Sequence, residues 1–112
     1  MNKRDIFYLK HILDSARVIN NFINESSQED FLQNRMMQDA VIRNLEIIGE
    51  ATKHLTKECK EKYPEVEWKR LTGMRDVLSH DYFGIDLNII WEVITEKIYD
   101  LGRKIAIIIQ NF

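Results

Sequence analysis

An arginine, a histidine and a tyrosine occur close together near residue 80, with the spacing Arg75, four residues, His80, one residue, Tyr82. Histidine titrates near neutral pH, so His80 could transfer protons during cleavage of a phosphodiester. The Arg75 guanidinium could bind phosphate in a forked geometry and remain charged as negative charge builds up. RNA brings its own nucleophile, the 2′-hydroxyl, so such a site needs neither a metal nor a protein nucleophile. These residue types therefore point to RNA cleavage.

The residues around this motif could support the same chemistry. Asp76 lies four residues before His80, where its carboxylate could orient the imidazole. Tyr82 could stack on a base or contact a phosphate. On an ideal helix Arg75, Asp76, Ser79, His80 and Tyr82 share an arc of roughly 160°. A structural interpretation is also open, in which Arg75 forms a surface ion pair, His80 caps a helix dipole and Tyr82 only packs.

Helical geometry limits how Arg75 and His80 could act together. Five residues of an ideal helix separate them by about 140° around the axis, so the two side chains would not easily grip one phosphate. Two arrangements would solve this. Either the helix is distorted before Gly84, or the motifs of two subunits face one another across a dimer cleft.

The composition predicts one packed helical domain over residues 1–112. The chain has 45% hydrophobic and 30% charged residues, four glycines, one proline and a single cysteine, Cys59, which excludes an intrachain disulfide. The net charge of −2 gives no long-range attraction for RNA, so any RNA contact must be local. No uninterrupted apolar run could span a membrane, and the expected location is cytoplasmic.

Hydrophobic periodicity predicts an up-and-down antiparallel bundle of four to five helices. The second helix should begin after a capping box formed by Ser27 and Asp30, and Pro64 lies in the main connection. The predicted long helices are 5–24, 30–57 and 87–110, with a shorter helical piece from Trp68 through the motif.

Ser79 of the motif, together with Asn44 and Glu50 of the predicted second helix, could support the site. Gly49 is unfavourable inside a helix, and the plainest reason to keep it is close approach of another backbone or a ligand. Asn44 and Glu50 lie on the same helix; they are either internal hydrogen-bonding residues or supports for the motif. No histidine or cysteine cluster has metal-ligand spacing, so neither a metal nor a cofactor is predicted. Extra apolar residues on the last helix, such as Ile89 and Ile107, suggest a second subunit.

These residues together resemble the HEPN proteins, and among them the HepT-like toxins that are paired with minimal nucleotidyltransferase antitoxins. The resemblance covers almost the whole chain: residues 39–51 (DAVIRNLEIIGEA), Pro64 with Trp68, and residues 73–76 (GMRD) followed by Leu78, His80 and Tyr82.

The resemblance implies a dimeric, metal-independent endoribonuclease toxin of a type VII-like toxin–antitoxin pair. Arg75 and His80 would be catalytic, Asp76 would assist, and RNA would be cut to leave a 2′,3′-cyclic phosphate. The partner nucleotidyltransferase would neutralise the toxin by transferring AMP to Tyr82, and the order of the oligomer formed with this antitoxin stays open. Two other interpretations remain open: a noncatalytic helical module that binds and assists a nucleotidyltransferase, and a purely structural helical dimer.

Overall fold

A computed structural model of the protein describes residues 2–80 and 84–112, and within those ranges the regular structure is entirely helical. The all-α prediction is therefore confirmed. Seven helices are present in the described part of the chain, rather than four to five, because two of the predicted helices are each interrupted and one short helix lies in the predicted connection. They are α1 (Lys3–Asn24), α2 (Gln28–Gln33), α3 (Arg35–Lys53), α4 (Lys57–Lys62), α5 (Trp68–His80), α6 (Leu87–Glu96) and α7 (Ile98–Gln110).

The start of α2 follows the predicted capping box. The Asp30 backbone N–H donates to Ser27 Oγ at 3.1 Å, and the Ser27 backbone N–H donates to Asp30 Oδ2 at 3.0 Å. Two of the amide groups left without partners at a helix start are thereby satisfied. The end of α1 at Asn24 also agrees with the prediction.

The prediction of one continuous second helix over 30–57 is wrong, because the chain breaks at Asn34. Asn34 is extended (φ −116°, ψ 97°), and its side chain accepts a hydrogen bond from the Met37 backbone N–H at 3.0 Å. It thus ends α2 and caps α3. Gln38 stabilises the break, since its Nε2 donates to the carbonyls of Phe31 and Leu32 at 2.9 and 3.1 Å.

The last helix is also divided, at Lys97, between α6 and α7. The Thr95 hydroxyl donates to the Trp91 carbonyl at 2.7 Å and lies 3.2 Å from that of Glu92. Side-chain hydrogen bonds of this kind to the preceding turn often bend helices. The predicted stripe survives the bend: Ile94, Ile98 and Ile105 are all buried.

The core is built around α1, which packs against both α3 and α7, and α5 packs along α3. Leu9, Ile12, Val41, Leu45 and Ile48 are completely buried there. The arrangement places α5, which carries the motif, along α3. No helix in the described part of the chain is long and apolar enough to span a membrane.

Candidate active site

The helix α5 is anchored at its start and packed along one side. The Trp68 indole N–H donates to the backbone carbonyls of Lys60 and Tyr63 at 3.1 and 3.0 Å. Leu78 is buried, and Met74 packs partly against the core. These apolar contacts fix the rotation of α5, which leaves Asp76, Ser79 and His80 close to solvent or to the surface of α3.

Gly49 of α3 is the point of closest approach to α5. A Cβ atom added there would lie 2.2 Å from Arg75 Cβ and 2.7 Å from the Leu71 carbonyl oxygen. No real side chain fits at these distances, so only glycine allows α5 to lie in this position. The prediction that Gly49 permits a close approach is confirmed, and the element that approaches carries Arg75.

Arg75 is held by carboxylates on both helices. Its Nε lies 3.0 Å from Glu50 Oε2 of α3, and its Nη1 lies 3.3 Å from Asp76 Oδ1. The side chain is 29% exposed, and its Nη2 has no hydrogen bond to any residue the structure describes. The guanidinium is therefore oriented by two contacts and retains an edge that can bind phosphate.

Asp76 bridges two cations. Its Oδ1 accepts a hydrogen bond from Lys53 Nζ at 2.6 Å and also contacts Arg75. The hydrogen bond from Lys53, followed by the charge of Lys53 and the contact with Arg75, lowers the pKa of the Asp76 carboxyl below its ordinary value. Asp76 is thus ionised at neutral pH and joins α3 to α5.

The predicted contact between Asp76 and His80 is absent from the described structure. Asp76 faces Lys53 and Arg75, and His80 is exposed at the end of α5 without a hydrogen bond or ion pair to any described residue. Spacing of four residues permits such a contact. The opposite charges of Lys53 and Arg75 hold Asp76 instead.

The helix α5 is regular through His80. Arg75 and His80 are therefore separated by about 140° around the axis, as in an ideal helix. A distortion that would bring the two side chains together is not found between Trp68 and His80. Tyr82, the predicted modification site, lies outside the described residues.

The three supporting residues predicted from sequence differ in their positions. Glu50 contacts Arg75 directly. Ser79 lies beside α3, with its hydroxyl 3.5 Å from Glu46 Oε2. Asn44 donates to the Ala40 carbonyl at 2.8 Å, which is the internal role considered for it. No contact joins Asn44 to Arg75 in the described structure.

Two charged residues of this site, Lys53 and Glu46, were not identified from the sequence. They lie on α3 with Gly49 and Glu50, at three- and four-residue steps that place them on one helix face. Gly49, in the middle of this charged face, was the sequence feature that could have identified both residues. It marks the side of α3 that another helix approaches.

The described residues form neither a second nucleophilic site at the cysteine nor a metal-binding site. Cys59 is buried, and burial, together with the nearby charge of Asp5, raises the pKa of its thiol to about 11. It is consequently a poor nucleophile at neutral pH. The described residues contain no group of three or more His, Cys, Asp or Glu side chains arranged to hold a metal ion.

Comparison with known proteins defines the family. The model of the family described as "Ribonuclease HepT-like" matches residues 12–108. The chain is 42% identical to a "Probable ribonuclease HepT" of Thermococcus cleftensis, over 87% of this chain and 88% of the relative. It is 44% identical to a "Putative RNase" of Caldanaerobacter subterraneus subsp. tengcongensis, over 93% of each chain. No solved structure gives a significant match.

A further relative is longer. The chain is 43% identical to a "Gamma-glutamylcyclotransferase and putative RNase" of Methanocaldococcus jannaschii, with 99% of this chain aligned, but it spans only half the length of that protein. The family match extends from α1 into α7 and includes the whole Arg75 site. The chain belongs to the HepT-like ribonuclease family.

Proposed function

We propose that this protein is an endoribonuclease toxin that cleaves RNA without a metal ion, using Arg75 and His80. The proposal rests chiefly on the Arg75 guanidinium, which Glu50 and Asp76 contact at Nε and Nη1, while Nη2 has no hydrogen bond to any described residue. The exposed His80 on the same helix supplies an imidazole, which can act as a general acid or base. Membership of a ribonuclease family supports the same conclusion.

The reaction is an internal transesterification. A base removes the proton of the 2′-hydroxyl, whose oxygen attacks the adjacent phosphorus, and the 5′-oxygen leaves after it receives a proton. The products are a 2′,3′-cyclic phosphate and a free 5′-hydroxyl. His80 acts as the proton-transferring group and Arg75 stabilises the charge on the phosphoryl oxygens.

We infer that two copies of the chain share each site, because Arg75 and His80 of one regular α5 diverge. Val77 and His80 are three residues apart and therefore neighbours on the surface of α5. Val77 is 61% exposed and borders a groove of about 540 Å³ between α5 and the α6–α7 segment. A second copy that covers Val77 would lie against His80. The exposed Ile89 and Ile107 add apolar surface for such an association.

Purified protein with a structured RNA tests the catalytic proposal. Wild type should cut the RNA in the presence of EDTA and leave cyclic phosphate ends, whereas Arg75→Ala and His80→Ala should reduce cleavage at least about a hundredfold. Arg103→Ala is the matched control, since Arg103 is an exposed arginine of α7 that pairs with Asp100 of the same helix. RNA binding without cleavage by wild type would instead favour a noncatalytic module that assists a nucleotidyltransferase.

Mixing the two inactive variants tests the shared site. If Arg75 of one copy acts with His80 of the other, mixed dimers of Arg75→Ala and His80→Ala contain one intact site, and a one-to-one mixture should recover about a quarter of wild-type activity. If both residues act within one copy, the mixture remains inactive. The arginine and histidine variants must be mixed under conditions in which subunits exchange.

We further propose that a nucleotidyltransferase partner neutralises the toxin by transferring AMP to Tyr82. The supporting observations are the position of Tyr82 two residues after His80 and the resemblance described above. Added adenylate would place negative charge where the RNA phosphate must bind. Intact mass spectrometry after incubation with the partner and ATP should show one adenylyl group or more, and Tyr82→Phe should abolish the addition.

A further inference from the structure

The exposed charges at the start of α1 are all basic, although the chain as a whole carries a net charge of −2. Lys3, Arg4 and Lys10 are exposed. The only carboxylate among residues 2–13 is Asp5, which is 1% exposed and accepts hydrogen bonds from the Thr56 backbone N–H at 2.9 Å and hydroxyl at 2.7 Å. The negative charge of Asp5 therefore lies inside the protein and not on its surface. The next carboxylate along the same helix face, Asp14, is exposed and marks the end of this region. The exposed side chains of residues 3–11 therefore form a local cationic surface on an otherwise acidic protein.

Exposed rings lie among these basic residues. Phe7 is 56% exposed, and at positions 3, 7 and 10 it shares one helix face with Lys3 and Lys10. Its ring meets those of Tyr8 and His11 at interplanar angles of 84° and 71°. Because neither neighbour stacks in parallel on Phe7, the ring retains area on which a flat group could stack.

A row of contacts joins this surface to Arg75. The Tyr8 ring stacks on the His54 ring with centroids 4.8 Å apart and an interplanar angle of 13°. His54 Nε2 lies 3.5 Å from Glu50 Oε1, and the other oxygen of Glu50 contacts Arg75. The basic and aromatic surface of α1 thus adjoins the candidate active site.

We propose that this surface, formed by Lys3, Arg4, Phe7, Lys10 and His11, is a binding site for single-stranded RNA beside the cleavage site. The basic side chains bind phosphates, and a base stacks on Phe7. Cations along the backbone path combined with aromatic stacking are the features by which proteins hold single strands. The surface also explains how a protein with a net charge of −2 could bind RNA, since such a protein needs a local cationic patch to hold its substrate. The inference rests on the proposed ribonuclease function and adds a substrate subsite to it.

Binding measurements on the full chain test the subsite. The His80→Ala background prevents cleavage, and the probe is a fluorescent oligouridylate of about 12 nucleotides, followed by anisotropy over a range of salt concentrations. Replacing Lys3, Arg4 and Lys10 by glutamine should lower the slope of log affinity against log salt by about two, at roughly 0.7 for each lost cation. Phe7→Leu, which keeps an apolar side chain, should weaken binding on the order of tenfold, and Phe7→Trp should restore it.

A triple variant with glutamine at Lys62, Lys69 and Arg103 provides the matched control, because it removes three exposed charges outside α1. Equal effects of the two triple variants, or normal binding by Phe7→Leu, would overturn the subsite. So would a Phe7→Leu defect confined to binding of a nucleotidyltransferase, which would assign the surface to a protein partner. Failure of wild type to cleave RNA would overturn the ribonuclease proposal separately, because binding is measured without cleavage.

Discussion

Arg75 of α5 lies directly over Gly49 of α3, so that a methyl group on Gly49 would be 2.2 Å from the arginine Cβ. The neighbouring Glu50 binds the guanidinium of the same arginine at 3.0 Å. One short segment of α3 therefore determines both how near α5 lies and where the Arg75 side chain points.

Gly49→Ala should reduce stability and cleavage together. Alanine favours a helix over glycine by about 1 kcal/mol, but the overlap with Arg75 and the Leu71 carbonyl forces α5 away, and overpacking costs about 1–3 kcal/mol. We expect a lower Tm and at least about a tenfold loss of kcat/KM, measured on folded protein.

Gly102→Ala is the control for this substitution. A Cβ there would lie 3.6 Å from Ala16 Cβ, an ordinary van der Waals distance. This variant should keep or raise the Tm and cleave RNA normally. A fully active Gly49→Ala variant would show that the close approach does not position Arg75.

Glu50→Gln should reduce kcat/KM about fivefold to tenfold while changing stability little. The pair with Arg75 is partly exposed, so its net contribution is about 1 kcal/mol, but the carboxylate fixes the direction of the guanidinium. Glu61→Gln removes another exposed carboxylate, which pairs with Lys57 of its own helix at 3.7 Å, and should leave cleavage unchanged. A lower KM for Glu50→Gln would mean that the carboxylate competes with phosphate for Arg75.

Asp76 should stabilise the fold at neutral pH but not in strong acid. Its pKa in the folded protein is lowered from 3.8, chiefly by the Lys53 hydrogen bond. A depressed folded-state pKa gives stability that is present above the unfolded value and is lost as pH falls through the folded value. Wild type should therefore have a higher Tm than Asp76→Asn at pH 7, and the difference should shrink progressively as the pH is lowered below 3.8.

Asp100→Asn offers a parallel measurement. The pKa of Asp100, on α7, is also lowered, chiefly by a hydrogen bond from Arg103 and then by one from Lys104. The Tm difference between wild type and Asp100→Asn should therefore shrink with falling pH in the same way. A Tm difference between wild type and Asp76→Asn that did not change with pH would contradict the role of charge at Asp76.

Gln38→Ala should destabilise the junction of α2 and α3. The side chain is nearly buried and satisfies two carbonyl groups, those of Phe31 and Leu32. Leaving buried acceptors unpaired costs about 1–3 kcal/mol, whereas Gln33→Ala at an exposed position should cost almost nothing. Urea unfolding of both variants measures the difference, and an equal midpoint for the two would refute the structural role of Gln38.

Features that depend on hydrogen bonds between residues close in sequence were predictable from the sequence. Features that depend on how the helices pack against one another were not. The Ser27–Asp30 capping box and the end of α1 follow from local hydrogen bonding. The break at Asn34 was missed because asparagine also occurs within helices, and the decisive partner, Gln38, contacts carbonyls that only a broken helix exposes.

The candidate site follows the same division. Gly49 indicated a close approach, because glycine destabilises the interior of a helix and is therefore kept where a side chain would not fit. The partner of Asp76 could not be read from spacing, because Lys53 lies on a different helix and 23 positions away. Which residues of α3 and α5 face one another depends on packing around Trp68 and Leu78, not on any motif.

The two principal residues of the site differ in pre-organisation. Arg75 is constrained before any substrate arrives, by Gly49 beneath its stem and by carboxylates at two of its nitrogens. His80 has no such contacts among the described residues, so the entropy of fixing its side chain is still to be lost when the site assembles. The orientation of the arginine is therefore part of the fold, whereas the role proposed for the histidine depends on groups beyond the described residues.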